Sequence, residues 1–374
     1  MHKKKIIYID EDARYGGPQH RMILVANELK DKFDFLFLIS KNDNTLFKRK
    51  LNKTSLKYKE ISITRLSKHT KTLIKYLIFF FPELLCLIIH LKKLNADLVQ
   101  VNSTPHFKAL IASSILRIPT LWVLEDCNLP KSIKIAFKIL YFFFKPKIIV
   151  TSEVVKNYYL KNYKLNKNLR KIYAPVSTKE FNLNKYKKKI FNKKKVNILM
   201  IANLTKVKGI EILLKLIKIS PKNYSFTLCG GYNFTHKKYA NDLIKQFKKF
   251  SKNKLNYIGH QEDIPKIISK CDFMICTSLS EAGPMTSIEG MCMKKPLISS
   301  KVGIISELFK NNIDLLIVKK NYPKNFLKSI KYLVSKQDLQ KKIIKNAYNI
   351  VINKLTVNQI SKKYDSFYKY TIIN

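Results

Sequence analysis

The sequence predicts an α/β protein made of two doubly wound, Rossmann-like domains that face each other across a cleft. Short apolar runs alternate with helical patterns along the chain, as in parallel sheets covered by helices on both faces. The length of 374 residues favours two domains, because single cores rarely grow beyond about 250–300 residues. A lysine-rich stretch with little apolar periodicity lies near the middle and is typical of a linker.

These patterns place the first domain at 1–175, the linker at 176–195 and the second domain at 196–355. The remaining stretch, 356–374, is expected to form a helix that packs back onto the first domain.

In the first domain, short runs rich in Ile, Leu, Val, Phe and Tyr predict strands, because these side chains suit a buried pleated surface. Pro18 suits a first helical turn, where its missing N–H is no loss, and predicts a helix at 18–30. The predicted strands are 5–10, 33–39, 97–102, 120–125 and 147–151.

The same alternation resumes in the second domain. Helices are predicted at 209–219 and 284–293, the second beginning at Pro284, and a last helical pattern covers 358–370. The predicted strands are 196–202, 225–229, 255–258, 272–277, 296–299 and 314–318.

The chain carries 72 Lys and Arg against 25 Asp and Glu, a formal net charge of +47. Such an excess is typical of proteins that bind nucleic acid or an anionic membrane surface. The cations are nearly all lysines spread over both halves, and no nucleic-acid recognition motif with interleaved aromatic residues is evident. We therefore expect an anionic membrane surface, and no nucleic acid, as a partner.

Two apolar stretches favour the membrane partner. Residues 73–91 are almost wholly apolar, but Lys75 and Glu83 interrupt them, whereas a transmembrane helix needs about 20 predominantly apolar residues. Residues 133–144 combine a Tyr-Phe-Phe-Phe cluster with flanking lysines, a pattern that suits the membrane interface. Core helices are the alternative for each stretch alone, and the two together indicate peripheral membrane contact.

The six cysteines form no Cys-x-x-Cys pair and mostly lie in apolar runs. They are typical of reduced core residues in a cytosolic protein, not of disulfides or a metal site. The N-terminal run is too short and too strand-like for a signal peptide. The expected location is therefore cytoplasmic, peripheral on the inner face of the cytoplasmic membrane.

The most informative segment is 271–291, where an apolar strand ends in a polar turn and a new helix begins. Glu281 lies in the turn and Glu289 lies eight residues later, inside the helix. Ligands of open α/β sheets bind at the carboxyl ends of strands, and a carboxylate such as Glu289 can accept two hydrogen bonds from a vicinal diol.

The start of that helix is a candidate anion site. Gly283 permits close approach of a ligand, and Pro284 suits the first turn. The backbone amides of Met285, Thr286 and Ser287 are then expected to be free at the positive end of the helix dipole, which suits a diphosphate or sugar hydroxyls. The alternative is a capped surface helix with ordinary acidic residues.

This segment resembles the family-4 retaining glycosyltransferases, which have the glycosyltransferase B fold. The resemblance covers nearly the whole chain and is most specific over residues 197–308. The motifs that carry it are Ser280-Glu-Ala-Gly-Pro-Met-Thr-Ser-Ile-Glu-Gly-Met, Lys295-Pro-Leu-Ile-Ser-Ser, Ile198-Leu-Met-Ile-Ala-Asn-Leu-Thr-Lys-Val-Lys-Gly, Leu228-Cys-Gly-Gly, Tyr257-Ile-Gly-His and Tyr173-Ala-Pro-Val-Ser-Thr-Lys-Glu-Phe.

By this resemblance, Glu289 binds the nucleotide ribose and Glu281 lies beside the transferred sugar. Lys208 matches the lysine that binds the donor diphosphate, where an ammonium stabilises charge on the leaving group. Gly259 belongs to the loop that lies against the nucleotide base. Asn203 is a departure, because relatives usually have an arginine there and a bidentate phosphate clamp is lost.

The first domain is expected to supply the other wall. Gly16 and Gly17, after the first strand, are expected to face the donor diphosphate when the cleft closes. Glu125, at the end of the strand 120–125, is a candidate for contact with sugar hydroxyls or the acceptor. The alternative is a carboxylate that caps the next turn. Relatives often carry a histidine near this position, and this chain does not.

The resemblance implies transfer of a sugar from a nucleotide-diphosphate-sugar with retention, by front-face attack in which the donor phosphate takes the acceptor proton. No Asp-x-Asp motif stands near the family motifs of residues 173–308, so we expect neither a metal nor a cofactor. The expected acceptor is a lipid-linked saccharide or glycan in bacterial cell-surface polysaccharide, lipopolysaccharide or glycolipid synthesis. The alternatives are a sugar-nucleotide epimerase on the same fold, a degenerate transferase, and a basic nucleic-acid-binding protein.

Overall fold

The computed structural model describes residues 3–12, 14–42, 44–67, 69–187, 191–232 and 236–374. The chain divides into two compact units. The first comprises Met1–Pro175 together with Val357–Asn374, and the second comprises Val176–Thr356. Residues 188–190 of the predicted linker lie outside the described residues.

The first unit contains a seven-stranded sheet of order β3-β2-β1-β4-β5-β6-β7, in which the paired strands are parallel. This order reverses beside β1, which is the doubly wound arrangement predicted from the sequence. Its elements are β1 (Lys4–Asp10), α1 (Gly17–Leu29), β2 (Phe33–Ser40), α2 (Thr45–Leu51), β3 (Lys57–Ile61), α3 (Thr70–Ile78), α4 (Phe80–Leu94), β4 (Leu98–Asn102), α5 (Phe107–Ile115), β5 (Thr120–Leu124), α6 (Lys131–Phe144), β6 (Lys147–Val150), α7 (Glu153–Leu160) and β7 (Leu169–Lys171).

The second unit contains a six-stranded parallel sheet of order β10-β9-β8-β11-β12-β13. It is also doubly wound, as predicted. Its elements are β8 (Val196–Ile201), α8 (Ile210–Ile219), β9 (Tyr224–Cys229), α9 (Lys237–Phe247), β10 (Leu255–Tyr257), α10 (Ile264–Ser269), β11 (Phe273–Cys276), α11 (Met285–Cys292), β12 (Leu297–Ser300), α12 (Gly303–Leu308), β13 (Leu316–Val318), α13 (Pro323–Ser335) and α14 (Gln337–Lys354), and the chain ends in α15 (Val357–Ile373).

The predicted strands are confirmed, with ends that differ by about one or two residues, which is the usual margin of assignment. The strands β3 and β7, which are the two edges of the first sheet, were not predicted. An edge strand buries less of its surface than a central strand, and β3 alternates Lys57 and Lys59 with less exposed residues. Strands of this kind lack the continuous apolar run that identifies a central parallel strand.

The helix α15 packs against α1 in the first unit. Its Tyr368 hydroxyl lies 2.5 Å from the Tyr8 hydroxyl of β1 and donates to Gln100 Oε1 of β4 at 2.7 Å. These side chains are buried. The last helix is therefore joined to the centre of the first sheet by buried hydrogen bonds.

Among the described residues, no single helix has the length and apolarity to cross a bilayer. The pair α3 and α4, bent by 60° at Phe79, meets that criterion jointly, by length and composition.

Candidate functional site

Each sheet has a switch point beside its first strand, between β1 and β4 in the first unit and between β8 and β11 in the second. Doubly wound sheets bind ligands at the carboxyl ends of the strands at this point. The predicted site residues follow these strands or a neighbouring one. They form two sets, one at the carboxyl edge of each sheet.

In the second unit, the loops after β8 and β11 are packed directly against each other. Gly209 has φ of +64°, and a Cβ there would lie 2.2 Å from the Thr277 carbonyl oxygen, so only glycine fits. The Thr277 hydroxyl lies 3.1 Å from the Lys208 carbonyl oxygen and 3.0 Å from that of Gly209. These contacts hold the loop that carries Lys208 beside the loop that carries Glu281.

Lys208 and Glu281, which the sequence analysis named separately, form an ion pair. Lys208 ends a 3₁₀ turn at Lys206–Lys208, and its Nζ donates to Glu281 Oε1. The Ser278 hydroxyl donates to the same oxygen at 2.9 Å. Because both charged side chains are largely buried, the pair is oriented by the fold, which fixes the ammonium group at the edge of the sheet.

The segment between Glu281 and α11 is fixed from its other side by α12. Gly303 has φ of +41°, and a Cβ there would lie 2.2 Å from the Ala282 carbonyl oxygen. Ile304 N–H donates to that carbonyl at 3.2 Å. Gly283 itself is not crowded, since the nearest atom to a Cβ would be 3.8 Å away, so its missing side chain leaves space beside the start of α11.

At the start of α11, the backbone amides of Met285 and Thr286 donate no hydrogen bond to another described residue. The expectation for Ser287 is wrong, because its N–H donates to the Pro284 carbonyl at 3.0 Å in a tight first turn. The Thr286 hydroxyl donates to the carbonyl of Ile201, at the end of β8, at 3.1 Å. The helix is thereby anchored with two free amides at its positive end.

Glu289 lies farther along α11 and is 7% exposed. Burial, with a smaller contribution from the Glu180 carboxylate, raises the pKa of Glu289 to about 8. Within the described part of the chain, no side chain or amide donates a hydrogen bond to it. A buried carboxyl group without a partner is costly to ionise, and hydroxyl donors from a ligand would stabilise its charged form.

Asn203 and Gly259 lie on neighbouring loops of the same edge. Asn203 follows β8 and is exposed. The next residue, Leu204, donates its N–H to the Gly231 carbonyl at 2.8 Å, and Gly230 donates to the Gly259 carbonyl at 2.8 Å. Backbone hydrogen bonds therefore connect the loops after β8, β9 and β10.

In the first unit, Gly16 and Gly17 precede and begin α1, and Glu125 follows β5. Gly16 has an extended backbone, and a Cβ there would make only ordinary contacts. Neither packing nor backbone conformation therefore requires glycine at position 16. Its proposed approach to a diphosphate stays a prediction.

Glu125 is held by a residue that the sequence analysis did not single out. Arg21 of α1 donates through Nη2 to Glu125 Oε1 at 2.6 Å and to Asn102 Oδ1 at 3.2 Å. Asn102 Oδ1 also accepts from Gln100 Nε2 at 2.9 Å, and Gln100 accepts from Tyr368. A buried polar network thus runs from α15 through β4 to the candidate site carboxylate.

Burial raises the pKa of Glu125 despite the adjacent Arg21 guanidinium. Burial also raises the pKa of Asp10, at the end of β1, well above its ordinary value. Asp10 Oδ1 lies 3.6 Å from Nε2 of His106, whose pKa burial lowers to about 4. The carboxyl edge of the first sheet therefore holds several buried titratable groups whose protonation the fold controls.

A protein-family model described as Glycosyl transferases group 1 matches residues 182–350. The match covers a little under half of the chain. The matched residues contain the second sheet's switch point, the Lys208–Glu281 pair and the whole of α11.

The group 1 segment has relatives among curated proteins. The chain is 27% identical over 207 residues to the uncharacterized glycosyltransferase MJ1178 of Methanocaldococcus jannaschii. The aligned region covers 54% of this chain and 53% of that protein. It thus spans about half the length of that relative. It is 24% identical over 386 residues to the N,N'-diacetylbacillosaminyl-diphospho-undecaprenol alpha-1,3-N-acetylgalactosaminyltransferase of Campylobacter jejuni, covering 95% and 96% of the two chains.

Among solved structures, Anabaena Alr3699/HepE in complex with UDP and glucose superimposes with a TM-score of 0.82 at 18% identity, over 97% of this chain and 98% of that one. This likeness confirms the predicted glycosyltransferase B fold of two Rossmann-like domains. At 18% identity, this likeness shows the fold alone.

Replacing Glu289 with glutamine is expected to change how stability depends on pH. Its folded-state pKa of about 8 exceeds the ordinary value of 4.5, so the contribution of Glu289 to the free energy of unfolding is largest at low pH and falls as pH rises between these values. Glu289→Gln removes this loss, and its melting temperature relative to wild type should rise from pH 5 to pH 9. Asp338→Asn, at a fully exposed carboxylate, is the control, and parallel pH profiles for wild type and Glu289→Gln contradict the assignment.

Removing the Lys208 ammonium is expected to weaken nucleoside-diphosphate binding by roughly 10- to 100-fold, because a hydrogen bond to a charged group contributes about 1.5–3 kcal/mol. Calorimetric titration of Lys208→Ala with UDP, GDP and ADP measures this loss. Lys206→Ala, an exposed lysine of the same turn, should bind as wild type does. Equal losses of affinity in both variants would contradict a specific role of Lys208, because they would show that binding depends only on the overall positive charge of the turn.

Breaking the buried Arg21–Glu125 pair is expected to be costly. Arg21→Met leaves Glu125 buried without its partner and should lower the free energy of unfolding by about 3–5 kcal/mol. The double variant Arg21→Met/Glu125→Gln should recover much of this loss, because the uncompensated charge is gone. Urea denaturation of the two single variants and the double variant measures the coupling energy between Arg21 and Glu125. Strictly additive changes in the free energy of unfolding would contradict the pairing.

Proposed function

We propose that the chain is a retaining glycosyltransferase that uses a nucleotide-diphosphate-sugar donor and a lipid-linked acceptor. The observation that carries this proposal is the Lys208 ammonium, held by Glu281, whose loop leads directly into the start of α11 with the Met285 and Thr286 amides. An ammonium and a helix N-terminus at one switch point form a site for a diphosphate. The buried Glu289 carboxyl, farther along the same helix, suits the hydroxyls of a ribose.

In the proposed reaction, the bond from the anomeric carbon to the donor diphosphate breaks while a bond to the acceptor oxygen forms on the same face. The acceptor proton passes to the departing phosphate oxygen. Lys208 and the α11 amides stabilise the charge that develops on this leaving group. Glu281 positions Lys208 and lies beside the transferred sugar, and Glu125 contacts sugar or acceptor hydroxyls.

The acceptor we propose is a saccharide linked to a polyprenyl diphosphate, used in bacterial cell-surface polysaccharide, lipopolysaccharide or glycolipid assembly. The Campylobacter jejuni relative, which matches over 95% of this chain, is named for a diphospho-undecaprenol-linked acceptor. A protein that uses such a substrate works at a membrane, and we place this chain on the cytoplasmic face.

The direct test supplies purified protein with labelled UDP-, GDP- and ADP-sugars and a polyprenyl-diphosphate-linked saccharide. Label should move into the lipid phase with the donor's anomeric configuration, as read by NMR. Lys208→Ala should lower turnover on the order of 100-fold or more. An epimerised donor formed without acceptor, or an inverted product, would contradict the proposal.

A further inference from the structure

Three helices of the first unit, α3, α4 and α6, leave several large apolar side chains exposed. In α3, which is described in full, only Tyr76 is buried. In α6, also described in full, only Phe137 of the fourteen residues is buried. Leu77 and Ile78 are each 63% exposed, Phe81 is 76% exposed, and Phe142 and Phe143 are 71% and 70% exposed. Clusters of exposed large apolar side chains mark interaction sites.

The three helices lie on one side of the first sheet. Trp122 of β5 contacts Phe107 of α5 at 6.4 Å and Phe137 of α6 at 5.0 Å, measured between ring centroids. The helix α4 packs against α5. The exposed side chains of α3, α4 and α6 are therefore parts of one helical layer, which we call the apolar face.

Positive charge surrounds the apolar face. Lys71 and Lys75 of α3 and Lys131 and Lys138 of α6 are exposed, as are lysines at the ends of α4 and α6. Residues 131–145 contain no acid, and the single acid of residues 70–94 is Glu83. Glu83 accepts hydrogen bonds from Lys108 and Thr64, so its charge is already compensated.

We propose that the apolar face docks on an anionic phospholipid bilayer, with the Leu and Phe side chains at the acyl boundary and the lysines on the headgroups. Aromatic and aliphatic side chains flanked by lysine suit this interface. A second copy of the chain fits less well, because pairing two such faces would bring lysines together. This inference rests on the proposed function, since it explains how the enzyme reaches a lipid-linked acceptor.

The apolar face is rigidly connected to the candidate site edge. Lys108 of α5 is fully buried, bonds Glu83 of α4, and lies 3.8 Å from Glu11 Oε2 at the end of β1. Glu11 also accepts from the Ala109 N–H at 3.0 Å. A bilayer that holds α4 therefore holds the carboxyl edge of β1 at a fixed position.

The test is sedimentation of the full chain with vesicles of phosphatidylcholine alone or with phosphatidylglycerol. Wild type should bind the anionic vesicles, and replacing Leu77, Phe81, Phe142 and Phe143 with serine should weaken binding at least about 100-fold. Replacing Lys75, Lys138 and Lys145 with glutamine should weaken it roughly 100-fold and flatten its salt dependence. The matched control replaces four exposed apolar residues of the second unit with serine, namely Ile219, Ile313, Tyr322 and Tyr332, and should bind as wild type does.

Absence of vesicle binding, or equal losses in the control, would overturn the docking surface. Loss of a dimer in the Leu77/Phe81/Phe142/Phe143 variant, measured by light scattering, would assign the apolar face to a second copy instead. Nucleotide-induced thermal shifts should persist in all variants, which would show that the variants fold. This result would also separate the docking surface from the proposed transferase function. Vesicle binding without any nucleotide binding would support the docking surface and contradict the proposed transferase function.

Discussion

The close packing of Gly209 against the Thr277 carbonyl is the constraint from which the second unit's site follows. It brings the loops after β8 and β11 together at the switch point, and the Thr277 hydroxyl reinforces the contact. Lys208 then reaches Glu281, and the segment leading to α11 is held between that pair and Gly303. A side chain at position 209 would separate these loops and, with them, the cation and the helix start.

The first unit is organised differently, around buried polar groups. Arg21, Asn102, Gln100 and Tyr368 form a hydrogen-bonded network that ends at Glu125. Such networks stabilise a fold only when their partners are present. The last helix of the chain is part of this network, so the carboxyl edge of the first sheet depends on residues from both ends of the sequence.

Central strands were predictable because burial on both faces of a parallel sheet demands continuous apolar runs. The edge strands β3 and β7 were not, since their surroundings permit polar residues. The motif around Glu281 and Glu289 was visible in the sequence, but the Lys208–Glu281 contact was not, because the partners are 73 residues apart. Arg21 was missed for a similar reason: a buried arginine in an amphipathic helix is identified only by its distant partner, Glu125.

The central claim is that the start of α11 and Lys208 bind the diphosphate of a nucleotide donor. A crystal structure of the protein with a nucleoside diphosphate is the most direct measurement. We expect phosphate oxygens within hydrogen-bond distance of the Met285 and Thr286 amides and of Lys208 Nζ, and ribose hydroxyls within hydrogen-bond distance of the Glu289 carboxyl group. A nucleotide bound at another edge of the sheet, with those amides and Glu289 left without it, would contradict the account.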